Sequence, residues 1–374
     1  MRYLTAGDSH GPGLVVIVDG VPAGIPLVPA HIEQDLARRR VGHGRSGRMA
    51  AETEEVQVWG GLYQGLTTGA PLGILIPNRV GARVAGPEVY RIPRPGHADL
   101  AGFLKYSPPA LQPVQERASA RETAARCAAG AVARRLLEEM GVRVFSLVTG
   151  IGSAGGDGRP GQEVEDAFSG REVDWDDLAA RAEASPLRCP WEDRARAMRV
   201  EIDRAMSAGD TLGGTFVVVA TGVPAGLGSY VQADRRLDGR LAAAVMSIPA
   251  IKGVEVGMGF ALATLAGSQA HDPILPGLGR AGNRAGGLEG GVTNGQPLLV
   301  RAAMKPIPTL PGGLPSVDLV TGQEARAPAQ RADVCAVPAA AVVAEAAVAW
   351  ELARAVLERY GGDRLGDIRA GLGR

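Results

Sequence analysis

Leu14–Gly24 reads LVVIVDGVPAG, and Phe216–Gly226 reads FVVVATGVPAG. Each begins as a β-branched run, the composition of a strand, and each ends in the same GVPAG turn. A helical, arginine-bearing stretch follows each one: HIEQDLARRR after the first and DRRLDGRLAAAVMSI after the second. Two readings fit. A duplicated strand-plus-helix unit predicts two similar layers packed together, whereas a common turn used twice by coincidence predicts nothing.

Two further helices stand out. Ser119–Met140, SARETAARCAAGAVARRLLEEM, opens on an S-x-x-E pattern that predicts a capping box between Ser119 and Glu122, and Gly141 is placed to end it. Small residues on nearly all its faces predict a central helix packed closely on several sides. Pro338–Tyr360 is Ala-rich, with Pro338 suited to a first turn and Gly361-Gly362 beyond its end. Gly150–Gln162, Gly277–Pro297 and Lys305–Pro315 read as glycine- and proline-rich connections. No domain boundary stands out, so residues 1–374 are read as one large α+β domain.

Bulk properties exclude several functions. Forty Lys+Arg balance forty Asp+Glu, which argues against a general nucleic-acid binder. Aromatics make up only 4%, which disfavours recognition by base stacking. No apolar run reaches membrane-spanning length, and MRYLTAGDSHG lacks the apolar core of a signal peptide. Cys127, Cys189 and Cys335 fit neither a disulfide framework nor a zinc site, so a reducing cytoplasm and no metal are expected.

The chemistry is concentrated in loops. Leu4–Gly13, LTAGDSHGPG, sets His10 before a Gly-Pro-Gly turn that can hold it at a fixed angle. A fixed histidine is a natural proton donor or acceptor, although a capped, solvated histidine would look the same. Arg38–Arg48, RRRVGHGRSGR, joins a helix end to a glycine-rich loop. Guanidinium forks there suit phosphate or carboxylate, or they decorate a helix C-terminus. Arg117-Ala118-Ser119-Ala120-Arg121 puts cations around a predicted helix start, which is an anion site or an ordinary cap. Arg94-Pro-Gly-His97-Ala-Asp99 offers a second histidine, and QRADVCAVP offers Asp333 just before the Pro338 helix.

Two G-x-G-x-x-G strings, at Gly42–Gly47 and Gly277–Gly282, neither follow a strand nor open a helix, so neither is a dinucleotide fingerprint. The GDS at Gly7–Ser9 is shared with GDSL-type serine hydrolases, but no D-x-x-H partner exists.

Taken together, these motifs resemble chorismate synthases. GDSHGPG is similar to the family's G-E-S-H-G signature. RRRVGHGRSGR, RPGHADL, RASARETAARCAAGAVA, MSIPAIKGVEVG, NRAGGLEGGVTNGQP, MKPIPT and QRADVCAVPAA resemble family segments in family order, over residues 1 to about 345. Asp8 replaces the usual Glu, and Met258 a usual acidic residue. Pro249 stands where Asn or Gln is common and Pro308 where Ser is common; each removes an N–H donor.

The resemblance implies a β-α-β sandwich, with pseudo-symmetric antiparallel sheets around central helices, as a homotetramer. It implies a lyase closing the shikimate pathway, which converts 5-enolpyruvylshikimate 3-phosphate to chorismate and phosphate by 1,4-anti elimination. Reduced FMN is required without net redox change, and NADPH is a possible reductant. By similarity His10 protonates the departing phosphate, His97 manages the proton state of the reduced flavin near N1, and Asp333 acts as base towards N5. Flavin contacts are implied at Arg117, Ala118, Ser119, Pro249, Ala250, Gly290, Lys305, Pro306, Ile307, Pro308, Thr309 and Arg331. NADP or substrate contacts are implied at Arg39 and Arg45. Arg48 and Arg121 join them as cations suited to a substrate with two carboxylates and a phosphate. Two other functions compete: an FMN- and NADPH-dependent oxidoreductase, and an RNA-binding protein using the arginine patches.

Overall fold

The computed structural model describes residues 1–45, 55–78, 89–155, 160–328 and 333–373. Among them, two four-stranded antiparallel sheets enclose a layer of helices. The first sheet holds β1 (Arg2–Ala6), β2 (Gly13–Asp19), β3 (Gln57–Val58) and β4 (Leu72–Pro77), in the order β1-β2-β4-β3. The second holds β5 (Arg143–Ile151), β6 (Gly214–Thr221), β7 (Ile251–Val256) and β8 (Leu298–Met304), in the order β5-β6-β8-β7. Numbered within each sheet, the two orders are identical.

The helices repeat as well. α1 (Pro29–Arg40) follows the first GVPAG turn. After β4 come α2 (Asp99–Tyr106), α3 (Gln112–Ala118) and the long α4 (Glu122–Glu138). α5 (Leu237–Met246) follows the second GVPAG turn, and α6 (Val337–Tyr360) follows β8. In each half a small hairpin precedes the fourth strand, at Leu62–Thr67 and Leu288–Thr293. Their central residues, Gln64-Gly65 and Gly290-Gly291, all have positive φ, the geometry of the tight turn that matches strand twist.

The match extends to single bonds. The Thr67 hydroxyl donates to the Pro22 carbonyl at 2.6 Å and accepts from the Ile25 N–H at 2.9 Å. The Thr293 hydroxyl donates to the Pro224 carbonyl at 2.7 Å and accepts from the Leu227 N–H at 2.8 Å. Duplication, not coincidence of a turn, accounts for the two GVPAG segments.

α4 and α6 form the centre, and most of both helices is buried. Gly130 explains how closely they approach: a Cβ there would sit 2.3 Å from the Ala346 Cβ. One apolar cluster runs from Leu14 on β2 through α4 and α6 to Ile368. A second, smaller cluster lies on the far side of β5 and β6, where Val164, Phe168, Leu178 and Ala182 cover Phe145, Leu147, Val217 and Val219.

The start of α4 departs from expectation. The helix begins at Glu122, not Ser119, and no capping box forms. Arg121 occupies the cap position without a side-chain cap bond. The Glu122 carboxylate instead accepts from Arg126 Nε at 3.0 Å, one turn along its own helix. α3 runs up to Ala118, so Ser119 is the link between two helices, and its hydroxyl is drawn elsewhere.

Candidate active site

The loop between β1 and β2 lays His10 against α3. The His10 backbone N–H donates to Glu116 Oε2 at 2.6 Å, and its ring Nδ1 lies 2.7 Å from Glu116 Oε1. A carboxylate only accepts, so Nδ1 carries the proton in this contact, and exchange with a ligand falls to Nε2. Asn78, just past β4, holds the same loop from the other side. Its amide donates to the Ser9 and Gly11 carbonyls at 3.1 and 3.0 Å. The Ser119 hydroxyl donates to the Ser9 hydroxyl at 3.0 Å.

The preceding residue of α3 serves the second histidine. Gln115 donates to Asp99 Oδ2 at 3.1 Å, and Asp99 Oδ1 lies 2.5 Å from His97 Nδ1. Arg94 donates to Asp99 through Nε at 2.9 Å and through its backbone N–H at 3.0 Å. Asp99 is fully buried. Burial alone would raise its carboxyl, but the His97 and Arg94 hydrogen bonds outweigh burial and hold it well below the usual carboxylate range. His97 therefore also carries its proton on Nδ1, against an ionised partner.

From this turn the network continues into the segment after β8. Arg94 Nη1 donates to the Thr309 hydroxyl at 3.0 Å, and the Lys305 ammonium donates to the Gly96 carbonyl. The Lys305 N–H donates to the Ala250 carbonyl at 2.9 Å, where Ala250 takes a left-handed conformation with φ of 69°. The Thr211 hydroxyl donates to the Ile307 carbonyl at 2.7 Å. Next in the chain, the Leu212 N–H donates to the Val334 carbonyl, and the Val334 N–H donates to the Gly44 carbonyl, both at 2.8 Å. The neighbours of those two residues, Asp333 and Arg45, form an ion pair at 2.6 Å.

Hydrogen bonds and short chain steps thus connect His10, His97 and Asp333 into one network. Lys305, Pro306, Ile307, Pro308 and Thr309 belong to it, as do Ala250 and its neighbour Pro249. Arg117, Ala118 and Ser119 close α3 beside it, and Arg117 donates to the Thr5 hydroxyl at 2.8 Å on β1. Arg39 and Arg121 are buried; Arg39 continues the inward stripe Ile32, Asp35 and Leu36 of α1. Gly290 lies at the tip of a hairpin bonded to the second GVPAG turn. Arg48 and Arg331 lie outside the described residues.

The family model for chorismate synthase matches residues 1–357. The chain belongs to the chorismate synthase family. It is 54% identical to the chorismate synthase of Moorella thermoacetica, over 98% of this chain and 95% of that one. It is 50% identical to that of Desulforamulus reducens, over 100% and 97%. Against a crystal structure of chorismate synthase the TM-score is 0.80, at 39% identity, over 100% of this chain and 96% of that one. The α+β sandwich is therefore the chorismate synthase fold, and the chain is an enzyme of that family with a lyase role in chorismate and aromatic amino-acid biosynthesis. Among the described residues no helix is long and apolar enough to cross a membrane.

Glu116, Asn78 and Thr211 were not legible as site residues. Nothing in the spacing of QER, IPN or GDT marks them, because each acts on a segment far away in sequence. The acid two residues after His97 did carry a local signal, and it is the histidine's partner.

Proposed function

We propose that this enzyme converts 5-enolpyruvylshikimate 3-phosphate to chorismate and phosphate by 1,4-anti elimination, using reduced FMN with no net redox change. The observation that supports this reading best is that two carboxylate–histidine pairs hang from consecutive residues of α3, within a chain that matches the family end to end.

The residues present suit a flavin phosphate. Lys305, Arg94 and Arg117 supply positive charge, and the hydroxyls of Ser9, Ser119 and Thr309 supply polar contacts. Backbone groups at Ala250 and Ile307 are already bonded to the protein, which keeps those two segments shaped without a ligand. Arg117, Ala118, Ser119, Pro249, Ala250, Gly290, Lys305, Pro306, Ile307, Pro308, Thr309 and Arg331 would hold the cofactor. When bound, reduced FMN supplies an electron-rich ring for a C–H bond too weakly acidic for a simple base.

The chain's own groups do the rest. His10 gives the Nε2 proton to the phosphate as its C–O bond breaks. Arg39, Arg45, Arg48 and Arg121 neutralise the substrate's carboxylates and stabilise the leaving phosphate, which is expected to be the largest protein contribution. His97 would hold or release a proton beside the cofactor, and Asp333 would act as a base towards the flavin N5 position. We place the enzyme in the cytoplasm as a homotetramer, with NADPH a possible source of reducing equivalents. Phosphate release from the substrate with reduced FMN under anaerobic conditions tests the reading.

A further inference from the structure

We propose that Glu116 is the positioning residue that sets the tautomer and direction of His10. The inference rests on the reading of His10 as the acid in the reaction above.

Glu116 Oε2 accepts the His10 backbone N–H, and Oε1 faces His10 Nδ1. The Ser9 N–H donates to the Glu116 carbonyl at 3.2 Å. One residue of α3 therefore fixes the backbone and the ring of His10 together. Asn78 and Ser119 hold the flanking residues but do not touch the ring through these bonds.

The two donors require a carboxylate. A backbone N–H can only donate, so one side-chain oxygen must face it. The other oxygen then decides which ring nitrogen bears hydrogen. As a carboxylate oxygen it holds the proton on Nδ1 and leaves Nε2 to exchange with the substrate. A glutamine offers one oxygen and one NH2. Its oxygen must go to the backbone N–H, which turns the NH2 towards Nδ1. Two donors cannot face each other, so the neutral ring moves its proton to Nε2. The doubly protonated ring that acts as acid is opposed as well. An E116Q variant keeps the loop's backbone bond while inverting the tautomer, so it separates positioning from loop shape.

The test compares wild type, E116Q, H10A and the double variant with reduced FMN under anaerobic conditions, alongside 15N spectra of the imidazole rings. The sequence has five histidines, so the signal lost in H10A identifies His10. H10A should lower kcat about 10²–10⁴-fold with FMN binding nearly intact. E116Q should lower kcat by at least about 10-fold and by no more than H10A does, with KM little changed; replacing the carboxylate that orients a catalytic imidazole by its amide can cost about 10⁴-fold. The double variant should be no slower than H10A. The neutral His10 ring should carry its proton on Nδ1 in wild type and on Nε2 in E116Q. Wild-type turnover in E116Q beside a slow H10A would overturn the role of Glu116 alone. Normal turnover in H10A would overturn the acid reading and the kinetic claim with it. A wild-type spectrum with the proton on Nε2 would overturn the proposal without any variant.

Discussion

Asp333 and Arg45 meet at 2.6 Å, tying the lead-in of α6 to the loop that leaves α1. Both side chains are largely buried, so the pair is shielded from solvent in a way a surface bridge is not. It brings a base candidate and an anion-binding candidate, 288 residues apart in the chain, into one contact.

The pair makes the two residues separable by kinetics. Asp333→Asn should lower kcat about 10²–10⁴-fold, the usual worth of a positioned acid or base. Arg45→Ala should act first on KM for the anionic substrate, since it removes a binding cation. Steady-state parameters for both variants check this. Wild-type kcat in Asp333→Asn would remove that residue from the mechanism.

Glu345 carries a charge enclosed by arginines. It is fully buried on α6 and meets Arg38 at 2.8 Å, Arg134 at 2.8 Å and Arg188 at 3.0 Å, with the Ser146 hydroxyl donating at 2.6 Å. Asp35 and Glu183 complete the balance, so three guanidiniums face three carboxylates. Burial alone would raise the Glu345 carboxyl, but the three arginines outweigh it and hold it well below the usual range. A depressed folded value stabilises above the unfolded value and loses that effect as pH falls. Glu345→Gln should therefore cost about 3–5 kcal/mol at neutral pH, by leaving buried cations short of a partner. Its deficit should shrink as pH drops below about 4, where wild type begins to lose the same advantage. Denaturant unfolding of both proteins across that range checks the sign.

The duplication predicts paired energetics. Thr67 and Thr293 make the same two hydroxyl bonds in the two halves, and both are buried. Replacing either by valine strands a carbonyl and an N–H, at about 1–3 kcal/mol. The two costs should be similar, and additive in the double variant, because the threonines share no partner. Unequal or strongly coupled losses would contradict the equivalence of the two turns.

What could be read beforehand follows from distance along the chain. The GVPAG strands, α6 and the His97–Asp99 step carry short-range patterns, and they appear where those patterns put them. The Ser119 box failed because its hydroxyl found Ser9 and its Glu122 found Arg126; tertiary and i,i+4 partners outcompeted the cap. Glu116 and Asn78 were invisible for a related reason. Their significance lies in the β1–β2 loop, which meets Asn78 only because β2 and β4 pair Gly13 with Pro77, and no spacing rule encodes that pairing.

The central claim is tested most directly by anaerobic turnover of 5-enolpyruvylshikimate 3-phosphate, following chorismate and phosphate together, with FMN first reduced by dithionite and then left oxidised. The account predicts equal amounts of both products with reduced FMN, no net consumption of flavin electrons, and no turnover with oxidised FMN. Folded, FMN-binding protein that releases neither product in either state, or that consumes reduced flavin stoichiometrically, would contradict it.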